Sequence, residues 1–357
     1  MTNDDRISMV HGSGGRATNE LIDNIFAQEF NNDILSAMED SAVVEGSGRI
    51  AITTDSFVVT PLQFPGGDIG RLSVCGTVND LLMRGAVPRY LTCGYIIEEG
   101  LPVQKLKEIA ASMAKTAREA GVAIVAGDTK VVEGKGGLYI NTAGVGFVPE
   151  GREVSSRLAQ EGDVIIVSGN LGDHHAAILA ERLNVETSIK SDCAPLGEMV
   201  EALFSRGVHV HCLRDVTRGG LATVLKELAQ ASGKTFTIED AAIPVWTSVR
   251  DFCAMMGLDP LYMGNEGKLV AIVPAAEQEQ ALAAIRSSRY GANAAVIGSV
   301  EEAGSETDTD NDWENVKQAG GNRRMIGSKA GEVIVRTRIG GLRRLDVLQD
   351  EGLPRIC

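Results

Sequence analysis

Five aspartates hold most of the chemistry in this sequence. They occur in Glu39-Asp40-Ser41-Ala42, Thr53-Thr54-Asp55-Ser56, Val78-Asn79-Asp80-Leu81, Ala126-Gly127-Asp128-Thr129 and Arg214-Asp215-Val216-Thr217, each at a turn-like position beside small residues. Taken singly, such an acid is more often a turn former or a helix cap. Five together suggest more. Converging carboxylates repel one another and bind no phosphate unless divalent cations such as Mg²⁺ bridge them to a nucleotide.

Three other features bear on the same chemistry. His11-Gly12-Ser13-Gly14-Gly15-Arg16 offers backbone N–H groups and a cation that can approach phosphates, although no Walker lysine follows and a plain lead-in fits it equally well. Lys130 and Glu266 stand at strand-edge turns, where ordinary surface roles are the default reading. The chain ends in Leu353-Pro354-Arg355-Ile356-Cys357. A terminal thiol is poorly placed for packing and well placed to be modified. His174-His175 lacks a third ligand at useful spacing and reads as a helix start or loop, and His209 and His211 read as structural groups on a strand.

Positioning these groups requires two α/β halves. Periodicity gives a helix over 17–30, strands over 50–54 and 57–60 interrupted at Asp55, a helix over 69–83, a strand over 90–97, a helix over 102–120 and strands over 122–126 and 138–148. A second half repeats the outline, with strands over 163–168, 208–212 and 269–273 and helices over 219–231, 247–256 and 275–288. The expected division is 1–155, 156–338 and a mobile tail over 339–357, with an acidic surface insertion over 301–328. A strand over 332–337 closes the packed part.

Composition narrows the function. The net charge of −14, without a dense basic cluster, argues against nucleic acid. No apolar run approaches a membrane span and no basic-then-apolar signal opens the chain, so a cytoplasmic protein is expected. The 41 glycines imply many turns or ligand-facing loops. Cysteines at 75, 93, 193, 212, 253 and 357 form no C-x-x-C pair, and five of them read as reduced, mostly buried small hydrophobes.

At Gly12-Ser13-Gly14-Gly15, Thr54-Asp55-Ser56-Phe57-Val58, Val78-Asn79-Asp80-Leu81, Ala126-Gly127-Asp128-Thr129-Lys130, Arg214-Asp215-Val216-Thr217-Arg218-Gly219-Gly220 and Pro354-Arg355-Ile356-Cys357, the chain resembles the carbamoyl dehydratase family of [NiFe]-hydrogenase maturation. The resemblance runs from about residue 10 to 300 and resumes over 332–357; the terminal four residues and the Asp-Val-Thr-Arg-Gly-Gly run are its specific part. The aspartates recur across the wider aminoimidazole-ribonucleotide-synthetase superfamily. The resemblance implies a two-domain α/β fold of α+β type with mixed and antiparallel sheets. It also implies a homodimer whose N-terminal sheets join into a β-barrel, and a flexible C-terminal tail.

The activity so implied is ATP-dependent. A partner carbamoyltransferase loads a carboxamide onto the terminal thiol, ATP activates its oxygen, and loss of phosphate leaves a thiocyanate. The cyano group then passes to iron held by a scaffold complex. By the same resemblance Cys357 is the covalent carrier, and Lys130 and Glu266 are the candidates for proton removal. Gly12, Ser13, Gly14 and Gly15 fold over the phosphates. Asp55, Asn79, Asp80, Asp128 and Thr129 hold the nucleotide, and Asp40, Asp55, Asp80, Asp128 and Asp215 hold Mg²⁺. Residues 339–357 span up to roughly 60 Å when extended, enough for the tail to enter the cleft.

Two departures stand out: the acidic stretch is longer than the family's compact connection, and His175 stands where glycine usually follows Gly-Asp-His. Two other readings compete. A superfamily kinase or synthetase acting on a free small molecule would not need Cys357. A non-enzymatic adaptor would dock its tail and turn over no ATP.

Overall fold

The computed structural model describes residues 6–12, 16–34, 46, 48–302 and 330–346. Asp40, Ser13, Gly14, Gly15, Cys357 and all but the first two residues of the 301–328 stretch lie outside the described residues.

Helical structure begins with α1 (Arg16–Leu21) and continues through a π turn, Ile22–Phe26. The first half then has strand β1 (Arg49–Phe57), helix α2 (Ile69–Leu82), strand β2 (Val87–Glu98), helix α3 (Val103–Ala120), and strands β3 (Ala123–Val132) and β4 (Leu138–Val148). Its sheet has the order β1-β4-β2-β3, antiparallel except for the β2–β3 pair. The second half has β5 (Asp163–Val167), α4 (Asp173–Arg182), α5 (Gly197–Ser205), β6 (Cys212–Asp215), α6 (Gly220–Ser232), β7 (Thr235–Glu239), α7 (Thr247–Met256), β8 (Leu269–Pro274), α8 (Gln278–Arg286), β9 (Ala295–Glu301), β10 (Val333–Arg336) and β11 (Leu342–Leu345). These strands form a seven-stranded sheet, β11-β10-β7-β9-β5-β8-β6, in which only the β10–β7 pair is parallel.

Period-two alternation explains why the second sheet is covered on both sides. On β5, Val164 and Ile166 enter one apolar cluster and Ile165 and Val167 another; on β8, Leu269, Ala271 and Val273 part from Val270 and Ile272 in the same way. The first of these clusters also takes in Leu72, Val78 and Leu82 of α2, so the halves share a core. Helix α2 is buried nearly all round and is capped at its start by Asp68, whose Oδ1 accepts from the Arg71 N–H at 2.8 Å.

Several expectations change. β1 runs unbroken through Asp55 and ends at Phe57, leaving 58–60 outside any strand, and β3 continues through Gly127-Asp128, because ladder pairing to β4 and β2 holds the chain extended. His209 and His211 precede β6 rather than lying on a strand, and bond Glu277 and Asp163. The strand itself carries Asp215 at its end. The packed chain also extends past 339: β11 pairs with β10 and buries Leu345. Cys75, Cys93, Cys193, Cys212 and Cys253 are buried free thiols.

Candidate active site

Alternation along β1 turns Thr53, Asp55 and Phe57 toward α2 and leaves Thr54 and Ser56 exposed. Helix α2 approaches this face closely at Gly76. A Cβ there would lie 2.8 Å from the Phe57 ring and 3.6 Å from Asp55 Oδ2. One helical turn further on, the Thr53 hydroxyl donates to Asp80 Oδ2 at 2.9 Å, while the Ser56 N–H donates to Asp55 Oδ1 at 2.7 Å. From the other half, β6 packs against α2 and ends on the buried Asp215. Glu266 lies on the turn entering β8.

Electrostatics shows that these acids share one site. Burial pushes the Asp55 carboxyl up against the opposing Ser56 N–H and Arg218. Asp80 is also raised, first by burial and then by Asp55, against the Thr53 hydroxyl and Arg214. Asp215 is pushed up to about 7 by burial, with Asp80 and Asp55 adding repulsion. Glu266 rises well above the usual carboxylate range through burial and then the charges of Asp215, Asp192 and Asp55. Four acids from both halves therefore resist ionising together. Among the described residues no three His, Cys, Asp or Glu side chains form a ready-made metal cage.

Asp128 and Lys130 lie elsewhere. Ladder pairing puts Asp55 in register with Thr142, Cys93 and Gly127, whereas Asp128 shares its row with Gly94, Asn141 and the exposed Ser56. Adjacent rows face opposite sides of a sheet, and three strand spacings separate the outer strands by about 14 Å. Within one chain, therefore, Asp128 does not join the cluster. Its carboxylate pairs with Lys130 Nζ at 2.8 Å on the open face, and that pairing first of all holds its pKa below the usual value. Thr129 follows it on the strand, donating its N–H to Asp128 Oδ1 at 2.9 Å.

Asn79 is buried and fully engaged. Its Nδ2 donates to the Ala194 carbonyl at 3.1 Å and its Oδ1 accepts from the Leu196 N–H at 3.0 Å, which pins α2 to the second half. Gly12 closes a short 3-10 turn, Met9–Gly12.

Known proteins share this two-part architecture. Residues 38–148 match the family AIR synthase related protein, N-terminal domain, and residues 160–311 its C-terminal domain. A carbamoyl dehydratase HypE from Rhodobacter capsulatus is 44% identical over 99% of this chain and 99% of its own. The chain belongs to the HypE family. A HypE crystal structure in complex with ATP superposes with a TM-score of 0.88 at 44% identity, covering 98% of this chain and 99% of that one. A HypE–HypF complex matches with a TM-score of 0.74 at 43% identity, covering 92% and 99%.

In this HypE family member, sequence reasoning missed the support beneath Glu266. Asp192, buried, accepts the Glu266 N–H at 3.1 Å with one oxygen and Lys268 Nζ at 2.9 Å with the other. Gly267 permits the approach, since a Cβ there would lie 1.9 Å from the Asp192 carbonyl oxygen. Thr53, which fixes Asp80, was also missed. Thr53 has only its place beside Asp55 as a signal, and Asp192 lies far from every motif in the sequence.

Proposed function

We propose that this chain uses ATP to dehydrate an S-carboxamide on Cys357, leaving a thiocyanate whose cyano group becomes a ligand of the iron of [NiFe]-hydrogenase. The observation that carries this reading is the cluster of Asp55, Asp80, Asp215 and Glu266 between the halves, in a chain matching carbamoyl dehydratases end to end.

The donor set fits Mg²⁺. Buried carboxylates that resist ionising together are relieved by a divalent cation, and Mg²⁺ typically takes one or two carboxylates plus nucleotide phosphates rather than a protein cage. Asp55, Asp80 and Asp215 would hold it, with Asp40 beside them and Gly12 to Gly15 over the phosphates. Bound there, it would neutralise charge on the transferring phosphoryl group.

The carboxamide oxygen bonds to the γ-phosphorus as ADP leaves; two N–H protons are lost, the C–O bond breaks and phosphate departs, leaving C≡N. Glu266 suits proton removal, since a carboxylate with a raised pKa is a stronger base once ionised. Asn79 serves the nucleotide site by holding the halves in place. Asp128, Thr129 and Lys130 would act from the open sheet face, with Lys130 binding phosphate or carboxamide.

That face carries Ile50, Ile52 and Ile96, with Ile52 75% exposed, and a second copy would cover it by joining the sheets into a barrel. Among the described residues no helix is long and apolar enough to cross a membrane. Cytoplasmic placement, the division at 155/156, loading by a carbamoyltransferase and delivery to an iron-carrying scaffold complete the reading; the HypE–HypF complex among its relatives supports a protein partner. The variant Cys357→Ala tests it: ATP binding is retained and cyanide formation is lost, whereas full activity would refute it.

A further inference from the structure

Arg71, Cys75 and Asn79 stand one turn apart on the face of α2 that meets the second half. The two outer members of this row reach the same loop. Arg71 Nε donates to the Cys193 carbonyl at 2.7 Å, and Asn79 binds the Ala194 carbonyl and the Leu196 N–H at 3.1 and 3.0 Å. Cys75, midway between them, is thereby set against Cys193. Both are free thiols, 0% and 4% exposed, in one apolar cluster.

The two thiols meet. The Cys193 thiol is pushed well up first by its hydrogen bond with Cys75 and then by burial. The Arg71 guanidinium lies within charge range of both sulfurs, and a cation so placed steadies a thiolate. The pair thus has a facing partner for each sulfur and a neighbouring positive charge, which the other buried cysteines of the chain lack among the interactions described above.

The geometry points to a thiol modification site at this seam: Cys75 and Cys193 form a dithiol that a small hydroperoxide converts to a disulfide joining the two halves. The sulfur of one cysteine attacks the O–O bond and becomes a sulfenic acid as hydroxide leaves; the sulfur of the other displaces that oxygen, and the S–S bond forms. The two thiol protons end in the two waters released from hydrogen peroxide, so the sulfurs lose the two electrons that the peroxide gains. Burial makes the oxidant wait for the seam to loosen, which favours small hydroperoxides over bulky disulfides. The new bond ties α2 to the loop whose Asp192 holds the Glu266 N–H, and so clamps both walls of the carboxylate cluster. Neither cysteine takes part in the proposed dehydration, so this site and that reading fail separately.

Peptide mapping tests it. The full chain carrying Cys357→Ala, which removes the terminal thiol as a competitor, is treated with millimolar hydrogen peroxide, alkylated without reduction and digested. The expected product is a peptide pair joined through Cys75 and Cys193, lighter than the free pair by two hydrogens and separated again by dithiothreitol. The oxidised protein should also melt at least about 3 °C higher, a shift that Cys75→Ser and Cys193→Ser each abolish and Cys253→Ser retains. If one serine variant fails to fold, the other and the peptide map decide. Unmodified thiols or sulfinic acids at both positions, a cross-link joining other cysteines, or the same rise in melting temperature in a folded Cys75→Ser variant would overturn the proposal.

Discussion

The cleft cluster and the open sheet face received the same assignment from sequence, yet they are physically opposite. Asp55, Asp80 and Asp215 are held between two halves, and burial raises all three. Asp128 is exposed, paired with Lys130, and lowered. The first set holds electrostatic tension that a cation would relieve; the second is already neutralised by its neighbour. Similar motifs can thus carry different chemistry once the sheet decides which face they take.

Substitution in the cluster should give the largest effect. Asp55→Ala or Asp215→Ala is expected to lower ATP-dependent turnover by about 10³-fold, as chelating Mg²⁺ should, by removing charge stabilisation of the phosphoryl group. Single-turnover kinetics of the carbamoylated protein at saturating ATP would measure it. A loss under tenfold would put the metal site elsewhere.

Asn79→Ala should follow. It leaves the Leu196 N–H and Ala194 carbonyl unmet in a buried seam, so denaturant unfolding should show a loss of about 2–3 kcal/mol. A change within experimental noise would mean that the halves are held by their other contacts, such as Arg71 on the Cys193 carbonyl, and not by this pair of bonds.

Asp215 makes a pH prediction of definite sign. Its folded pKa of about 7 lies above the value of 3.8 it has when free. The folded state therefore binds the extra proton between about pH 4 and 7, and this contribution is lost as pH rises through 7. Asp215→Asn should be more stable than the parent at pH 8 by up to a few kcal/mol, with the difference shrinking toward pH 4. Equal melting temperatures at pH 8 would contradict the cluster's repulsion.

The smallest effect belongs to the open face. Lys130→Met or Asp128→Asn should change stability by under about 0.5 kcal/mol, since an exposed pair contributes little. A larger loss would show that a second copy or another partner buries the pair.

Much of this was readable in the sequence where one pattern dominated. The alternation over 138–148 gave β4, and the amphipathic run over 247–256 gave α7. Reading failed where a turn-forming pair sits inside a ladder, as Gly127-Asp128 does in β3, because the pairing is non-local. Leu342-Arg343-Arg344-Leu345 looked like tail, being basic and short, and only its neighbour β10 makes it a strand. β9 was masked by Gly298, which is needed because a Cβ there would lie 2.0 Å from the Thr237 carbonyl oxygen. In the site, residue types were legible, but burial and the choice of sheet face were not. Those follow from register and from how α2 meets β6.

The direct test of the central claim is the intact mass of the protein after incubation with the carbamoyltransferase, carbamoyl phosphate and ATP. The predicted result is a carboxamide adduct that maps to Cys357 and loses one water only when ATP is present. An adduct on another residue, or water loss without ATP, would contradict it.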